Sequence, residues 1–201
     1  MIAHLIRHGE KAPGSGDLGL SATGAAQADR TGQSLAGRKI DRLYASPLKR
    51  TMETAAGISQ RIGLSPVVTA EVRERLIYGD RPGETPEEYV VLFDKTSRER
   101  DYTPPNGDSS RAAGERLLRF LRGCWQDFAD GEIVVATHGA IITDMLLNHF
   151  TAEELNEMVP GCLAYPNCGI TTVSFDGERL TILRLTDVSH LEDLVERSDF
   201  A

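Results

Sequence analysis

Little in the chain would hold it together by covalent or metal cross-links. Its 201 residues include only three cysteines, Cys124, Cys162 and Cys168. An odd number at unrelated spacings builds no disulfide framework, and there is no CxxC pair to suggest zinc. The thiols are expected to be reduced and mostly buried. No apolar run approaches the roughly 20 residues that cross a bilayer, and the first residues carry no basic segment, apolar stretch and small-residue cleavage site of an export signal. Cationic excess is missing too. The formal net charge is −8, which argues against a nucleic acid or an anionic membrane as partner. A cytoplasmic protein is expected, with a homodimer left open, and any positive charge that matters must be local. At this length one well-buried α/β core fits and two full-sized ones do not, so residues 1–201 are expected as a single domain.

Strand and helix patterns alternate along that length. Ile2 to Ile6 reads as a first strand. A Gly/Ser/Pro-rich loop from Ala12 to Gly19 follows, and then a helix capped by Ser21 or Thr23 that runs through Leu35 and ends at Gly37. Asp41 to Ala45 predicts a second strand. Ser46-Pro47 reads as an N-cap followed by proline at the first helical position, opening a helix that stops at Gly63. Pro66 to Thr69 reads as a third strand, after which 71–110 turns irregular and rich in charge, proline and glycine, as an insertion over one end of the sheet. Within it Thr85-Pro86-Glu87-Glu88 is a capping-box helix start. Ser110 to Phe128 has its apolar residues at helical spacing, Trp125 among them as core, with an N-cap in Gly107-Asp108-Ser109. Glu132 to Ala136 reads as a buried strand, Ile141 to Phe150 as a helix, and Gly169 to Phe175 with Leu180 to Leu185 as a hairpin across Asp176-Gly177. The order predicts a three-layer α/β/α sandwich with a mostly parallel sheet, whose site lies at the carboxyl ends of the strands.

Two of those ends carry the same dipeptide. The first strand runs into Arg7-His8-Gly9-Glu10 and the Glu132 strand into Thr137-His138-Gly139-Ala140. A neutral imidazole is a competent nucleophile toward phosphorus, a guanidinium beside it neutralises phosphate oxygens, and a glycine after it leaves the approach clear. Arg50 falls in the first turn of the helix opened at Ser46-Pro47, near the positive dipole end that favours an anion. His4 and His8 share a helical metal spacing, but they lie on a strand with no third ligand nearby, so no metal site is expected and His4 reads as a core residue. His149 and His190 read as surface or packing residues.

Taken in order, Leu5-Ile6-Arg7-His8-Gly9-Glu10, Leu20-Ser21-Ala22-Thr23-Gly24 with Gln27-Ala28, Tyr44-Ala45-Ser46-Pro47-Leu48-Lys49-Arg50 with Glu53-Thr54-Ala55, and Val135-Ala136-Thr137-His138-Gly139 resemble the histidine phosphatase superfamily. This is the phosphoglycerate mutase-like group, and the match covers residues 2 to about 190 in a form similar to small bacterial phosphatases. The resemblance implies that His8 is the nucleophile and that Arg7, Arg50 and a protonated His138 hold the phosphoryl group without metal or other cofactor. The amides of Gly139 and Ala140 are candidate further donors. A carboxylic acid ahead of a glycine protonates the leaving group in this family; the match here is Glu74 in Val72-Arg73-Glu74-Arg75-Leu76-Ile77-Tyr78-Gly79. One residue more than usual separates Glu74 from Gly79, and Glu71, Asp80 and Glu84 are alternatives. Lys11, where relatives commonly have threonine, is either a phosphate contact or a solvent lysine, and Ser15 and Asp17 are candidate substrate contacts. The implied activity is a metal-independent phosphomonoesterase acting on a small phosphorylated metabolite. A mutase is the alternative, although the insertion is short and Arg73, Arg75, Arg81, Arg98, Arg100 and Arg111 in it are mixed with acids. A protein-phosphohistidine phosphatase and a non-catalytic phospho-ligand-binding module are further alternatives.

Overall fold

Two short apolar stretches, Ile2–Arg7 (β1) and Glu132–Thr137 (β4), lie side by side and parallel, in a computed structural model that describes residues 1–195. The end of the expected domain, 196–201, lies outside the described residues. Arg42–Ala45 (β2) pairs parallel with β4, and Val67–Val68 (β3) parallel with β2. Ile170–Phe175 (β5) pairs antiparallel with β1 and leads through a hairpin to Leu180–Asp187 (β6). The sheet therefore runs β3-β2-β4-β1-β5-β6 and is mixed but mostly parallel. It is the expected α/β architecture.

Side chains alternate across a strand, so the central strands feed two cores. Ala3, Leu5, Ile133 and Val135 join Leu117, Leu121, Ile142 and Met145 on one face. Ile6, Leu43, Val134 and Ala136 join Leu35, Ala55 and Ile58 on the other. Burial on both faces is why β4 reads as an unbroken apolar run rather than as an alternation.

The first face is covered by Ser110–Asp127 (α4) and Gly139–Leu147 (α5), the second by Ala22–Leu35 (α1) and Lys49–Ile62 (α2). Of the two candidate caps for α1, Ser21 serves: its hydroxyl accepts from the Gly24 amide. Ser109 caps α4 in the same way through the Ala112 amide. Trp125 on α4 packs against the first core, and its indole fills the space that a Cβ at Gly177, in the hairpin turn, would occupy.

The start of α2 differs from expectation. The helix begins at Lys49, with Leu48 as an N-cap that offers no side-chain hydrogen bond. Ser46 lies two residues ahead of the N-cap position, and its hydroxyl oxygen serves a histidine at 2.8 Å and, more weakly, the Leu48 amide at 3.4 Å. The free amide of Lys49 instead donates to Asp17 Oδ1 at 2.8 Å, so a carboxylate from another loop meets the positive end of the helix. Pro86–Arg98 (α3) follows the Thr85/Glu88 capping box as expected, and only Thr96 in it is fully buried. Ala152–Met158 (α6) is a helix the sequence pattern did not predict. Among the described residues no helix is long and apolar enough to cross a membrane.

Candidate active site

Parallel pairing of β1 with β4 sets Arg7 opposite Thr137, so the residues that follow, His8 and His138, emerge together. Their ring centroids are 5.3 Å apart at an interplanar angle of 66°. His8 is fixed at both ends. Its amide donates to the Thr137 carbonyl at 2.9 Å, and its Nδ1 lies 2.8 Å from the Gly9 carbonyl. A carbonyl only accepts, so Nδ1 carries the hydrogen and Nε2 keeps its lone pair. Burial, reinforced by Arg7 and Arg50, pushes His8 well below the ordinary histidine pKa. The ring is neutral at pH 7, as a nucleophile must be.

His138, expected as a protonated phosphate contact, is held toward its neutral form by the side chains around it. Arg50 Nη2 donates to its Nδ1 at 3.3 Å, and its Nε2 lies 2.8 Å from Ser46 Oγ as donor. Burial first, then His8, Arg50 and Arg7, push this ring well below its ordinary pKa. A third positive charge beside two guanidiniums is unfavourable in so dry a place.

Gly9 acts otherwise than expected. A Cβ there would sit 2.5 Å from the Gly24 carbonyl oxygen, and one at Gly24 would overlap the backbone of Glu10. The glycine thus allows the loop after β1 to lie backbone to backbone on the first turn of α1, rather than clearing a path for substrate. Thr54 Oγ1 accepts from the Gly9 amide at 3.0 Å and Gln27 Oε1 from the Glu10 amide at 2.8 Å, so both helices of that face hold the loop.

Arg7 donates to the Tyr165 carbonyl, and Arg50 occupies the first turn of α2 as expected. Arg50 is a buried cation and Arg7 a half-buried one. Burial lowers each guanidinium, and Glu74 is the leading counter-charge of each. Glu74 itself is buried, with Oε1 accepting from the Arg75 amide at 2.9 Å and Oε2 from the Ala140 amide at 3.2 Å, at the N-terminus of α5. The Ala140 amide is thereby engaged by Glu74 instead of standing as a free donor. Gly139 lies against Arg7, whose Cδ is 3.3 Å from where a Cβ would be. The alternative acids sit elsewhere: Glu71 meets Arg119 at 3.5 Å, and Glu84 accepts from the Gly79 amide and from Arg81. Asp80 is exposed, within electrostatic reach of Arg50.

Lys11 stands at the rim. Its Nζ donates to the Gly14 carbonyl at 2.8 Å, while burial and then Arg50 lower its pKa. Ser15 is exposed in the same loop, and Asp17 is committed to the α2 amide. Two residues beside the cluster had no functional reading in the sequence. Ser46 reads as a helix cap yet bonds His138. Tyr89 on α3, flanked by Tyr78 at 5.4 Å, has Glu74 and Arg50 as charged neighbours, and burial raises its phenol. Among the described residues no group of three or more His, Cys, Asp or Glu is placed to hold a metal ion.

The histidines bear on stability as well. All five, His4, His8, His138, His149 and His190, are held below the ordinary value of 6.5, chiefly by burial. Below that value the unfolded chain takes up protons that the folded chain refuses, so their contribution is full above 6.5 and falls with acidification. Asp144, raised by burial to about 6, opposes this, since its share is lost as pH rises through that value. Five groups outweigh one. The melting temperature is expected to fall as pH drops from about 7.5 to about 5.5, measured by scanning calorimetry; a rise would contradict the histidine account.

Neutral and cationic side chains gathered at adjacent strand ends of an α/β sheet, with one buried carboxylate among them, suit phosphoryl transfer, and its family and relatives make the protein a phosphatase. The chain belongs to the histidine phosphatase superfamily (branch 1), whose family model matches residues 3–188. It is 29% identical over 202 residues to PhoE, an uncharacterized phosphatase of Bacillus subtilis, covering 96% of this chain and 97% of that one. It is 31% identical over 206 residues to the phosphoglycerate mutase-like protein 4 of Arabidopsis thaliana, covering 94% and 86%. Among solved structures, phosphoserine phosphatase from Entamoeba histolytica, in complex with 3-phosphoglyceric acid, is similar with a TM-score of 0.70 and 27% identity, covering 94% of this chain and 98% of that one.

Proposed function

We propose that this phosphatase is a metal-independent phosphomonoesterase that hydrolyses a small phosphorylated metabolite through a phosphohistidine on His8. The observation that carries the reading is the ring of His8: neutral, with its Nδ1–H anchored on the Gly9 carbonyl, so that the Nε2 lone pair is the free end among Arg7 and Arg50. In this scheme Nε2 attacks phosphorus in line as the ester P–O bond breaks. Arg7 and Arg50 hold the equatorial oxygens, on which phosphoryl transfer concentrates its charge. A phosphate dianion also opposes the cationic field that keeps His138 neutral, and so favours a proton there. In this scheme Glu74 enters the cycle as the carboxylic acid, a form that a phosphate dianion between Arg7 and Arg50 favours, and hands its proton to the departing alkoxide. It then accepts one from the water that attacks phosphohistidine, which releases inorganic phosphate and restores His8.

A small substrate suits the short 71–110 segment, and the similar Entamoeba protein is a phosphoserine phosphatase. The mutase alternative calls for arginines free to grip a second anionic group. Here Arg73 pairs with Asp108, Arg75 with Asp144, Arg81 with Glu84, Arg98 with Asp94 and Arg111 with Asp101. Arg100 is spent on the carbonyls of Leu147 and Asp144. That commitment favours hydrolysis.

Glu74→Gln tests the scheme. With EDTA present, it is expected to slow an alkyl monophosphate such as glycerol 2-phosphate by about a hundredfold, the usual scale of general-acid catalysis, and 4-nitrophenyl phosphate far less. Equal losses on both esters would assign the proton to another group, and an absolute need for added Mg²⁺ would overturn the metal-free scheme.

A further inference from the structure

The geometry points to the buried Arg75–Asp144 ion pair as the positioning device for Glu74, an inference that rests on the reading of Glu74 as proton donor. Glu74 and Arg75 are neighbours in the chain, while Ala140 and Asp144 lie one helical turn apart on α5. The two pairs grip each other. The Ala140 amide donates to Glu74 Oε2 at 3.2 Å, and Arg75 Nη1 donates to both Asp144 oxygens at 2.7 and 2.8 Å. The first contact sets the carboxylate on the first turn of α5, and the second, one turn further along, sets the side chain of the next residue, beside the backbone bonds from Thr137 Oγ1 to the Val72 carbonyl and from the Asp108 amide to the Arg75 carbonyl. The backbone of Arg75 adds a third constraint, since its amide donates to Glu74 Oε1 at 2.9 Å. Any shift of Arg75 therefore moves a donor that holds the carboxylate.

The pair is built to hold its place. Both side chains are 3% exposed, so neither water nor salt competes for them. The same guanidinium reaches Ser110 Oγ on α4 at 2.7 Å, Ser97 Oγ on α3 at 2.5 Å and the Phe93 carbonyl at 3.4 Å, and it stacks 4.3 Å from the centroid of the Phe93 ring. Helix α3 is thus tied to the same point, and with it Tyr89, which has Glu74 and Arg50 as charged neighbours. Glu74 in turn is among the charges that act on Asp144. A charge pair needed for stability alone has no reason to sit next in sequence to the acid and one turn along the helix that holds it.

The experiment compares kcat and KM for glycerol 2-phosphate and 4-nitrophenyl phosphate in Asp144→Asn, Glu74→Gln and the double variant. Asp144→Asn is expected to lower kcat on the alkyl ester by about tenfold or more while changing the aryl ester by less than about threefold, with KM unmoved. In the Glu74→Gln background the same change is expected to add no further selective loss, because its effect passes through Glu74. Equal losses on both esters, or an undiminished alkyl-selective loss in the Glu74→Gln background, would overturn the positioning role. Should Asp144→Asn not fold, Arg75→Met with Asp144→Leu fills the site with apolar groups, an exchange that buried ion pairs often tolerate. That protein is expected to show the same selective loss, and a wild-type ratio of alkyl to aryl rates in it would refute the inference. Loss of selectivity in Glu74→Gln itself would instead refute the assignment of Glu74, which keeps the two failures apart.

Discussion

His8→Ala is expected to abolish phosphomonoester hydrolysis, with kcat/KM down by more than about a thousandfold, the scale on which loss of a nucleophile acts. Among the described residues no neighbour is placed to substitute. His138 holds its Nδ1 against Arg50 and its Nε2 against Ser46, so neither nitrogen is free to attack as Nε2 of His8 is. The backbone contacts that shape the loop, from the His8, Gly9 and Glu10 amides, do not use the imidazole and survive the change. The variant is therefore expected to fold. Steady-state rates on 4-nitrophenyl phosphate and acid-quenched trapping of a phosphoenzyme from labelled substrate provide the measurement. Near wild-type turnover, or a trapped phosphoenzyme in the variant, would remove His8 from the role of nucleophile.

Arg50→Ala ranks second, with an expected loss in kcat/KM of about 10²- to 10³-fold, as for removal of a preorganised donor that faces developing charge. The loss has two sources. The guanidinium supplies charge to the phosphoryl oxygens, and through Nη2 it also sets the orientation of His138. Arg50→Lys is expected to recover only part of the rate, because an ammonium has neither the planar fork nor the reach to serve both partners. A second readout follows from the charges. Arg50 is one of the cations that hold His8 and His138 down, so its removal lets both rise, and the acid limb of the kcat/KM profile should move to higher pH. A loss below about threefold together with an unmoved acid limb would place Arg50 outside the site.

The parts of this protein that the sequence discloses are those with local causes. β1 and β4 are legible because short apolar runs end in His-Gly, and α1, α3 and α4 because Ser21, Thr85 and Ser109 cap them within a few residues. Misreadings arise where distant residues compete. Ser46-Pro47 has the chemistry of a helix start, but its hydroxyl is claimed by a histidine 92 positions away, and the helix begins three residues later with its cap supplied by Asp17. Arg75 offers no local signal at all, as one charge among many in an irregular segment, with its partner 69 positions further on. Helix α6 carries a readable capping box in Thr151 and Glu154, yet only Leu155 is buried, so no apolar stripe marks it. The charge of His138 has no local signal either, since it depends on which cations and anions share its surroundings, and that is a property of the assembled site.

The adjacency of β1 and β4 has a bearing on when the enzyme becomes active. Strand β1 precedes every other described element, yet its sheet neighbours are β4 and β5, about 130 or more positions further on. A fragment cut short of β4 would carry Arg7, His8 and Arg50 with no His138 beside them and no α5 to receive Glu74. Such long-range closure is slow to form. Turnover is therefore expected to report that the central sheet has closed.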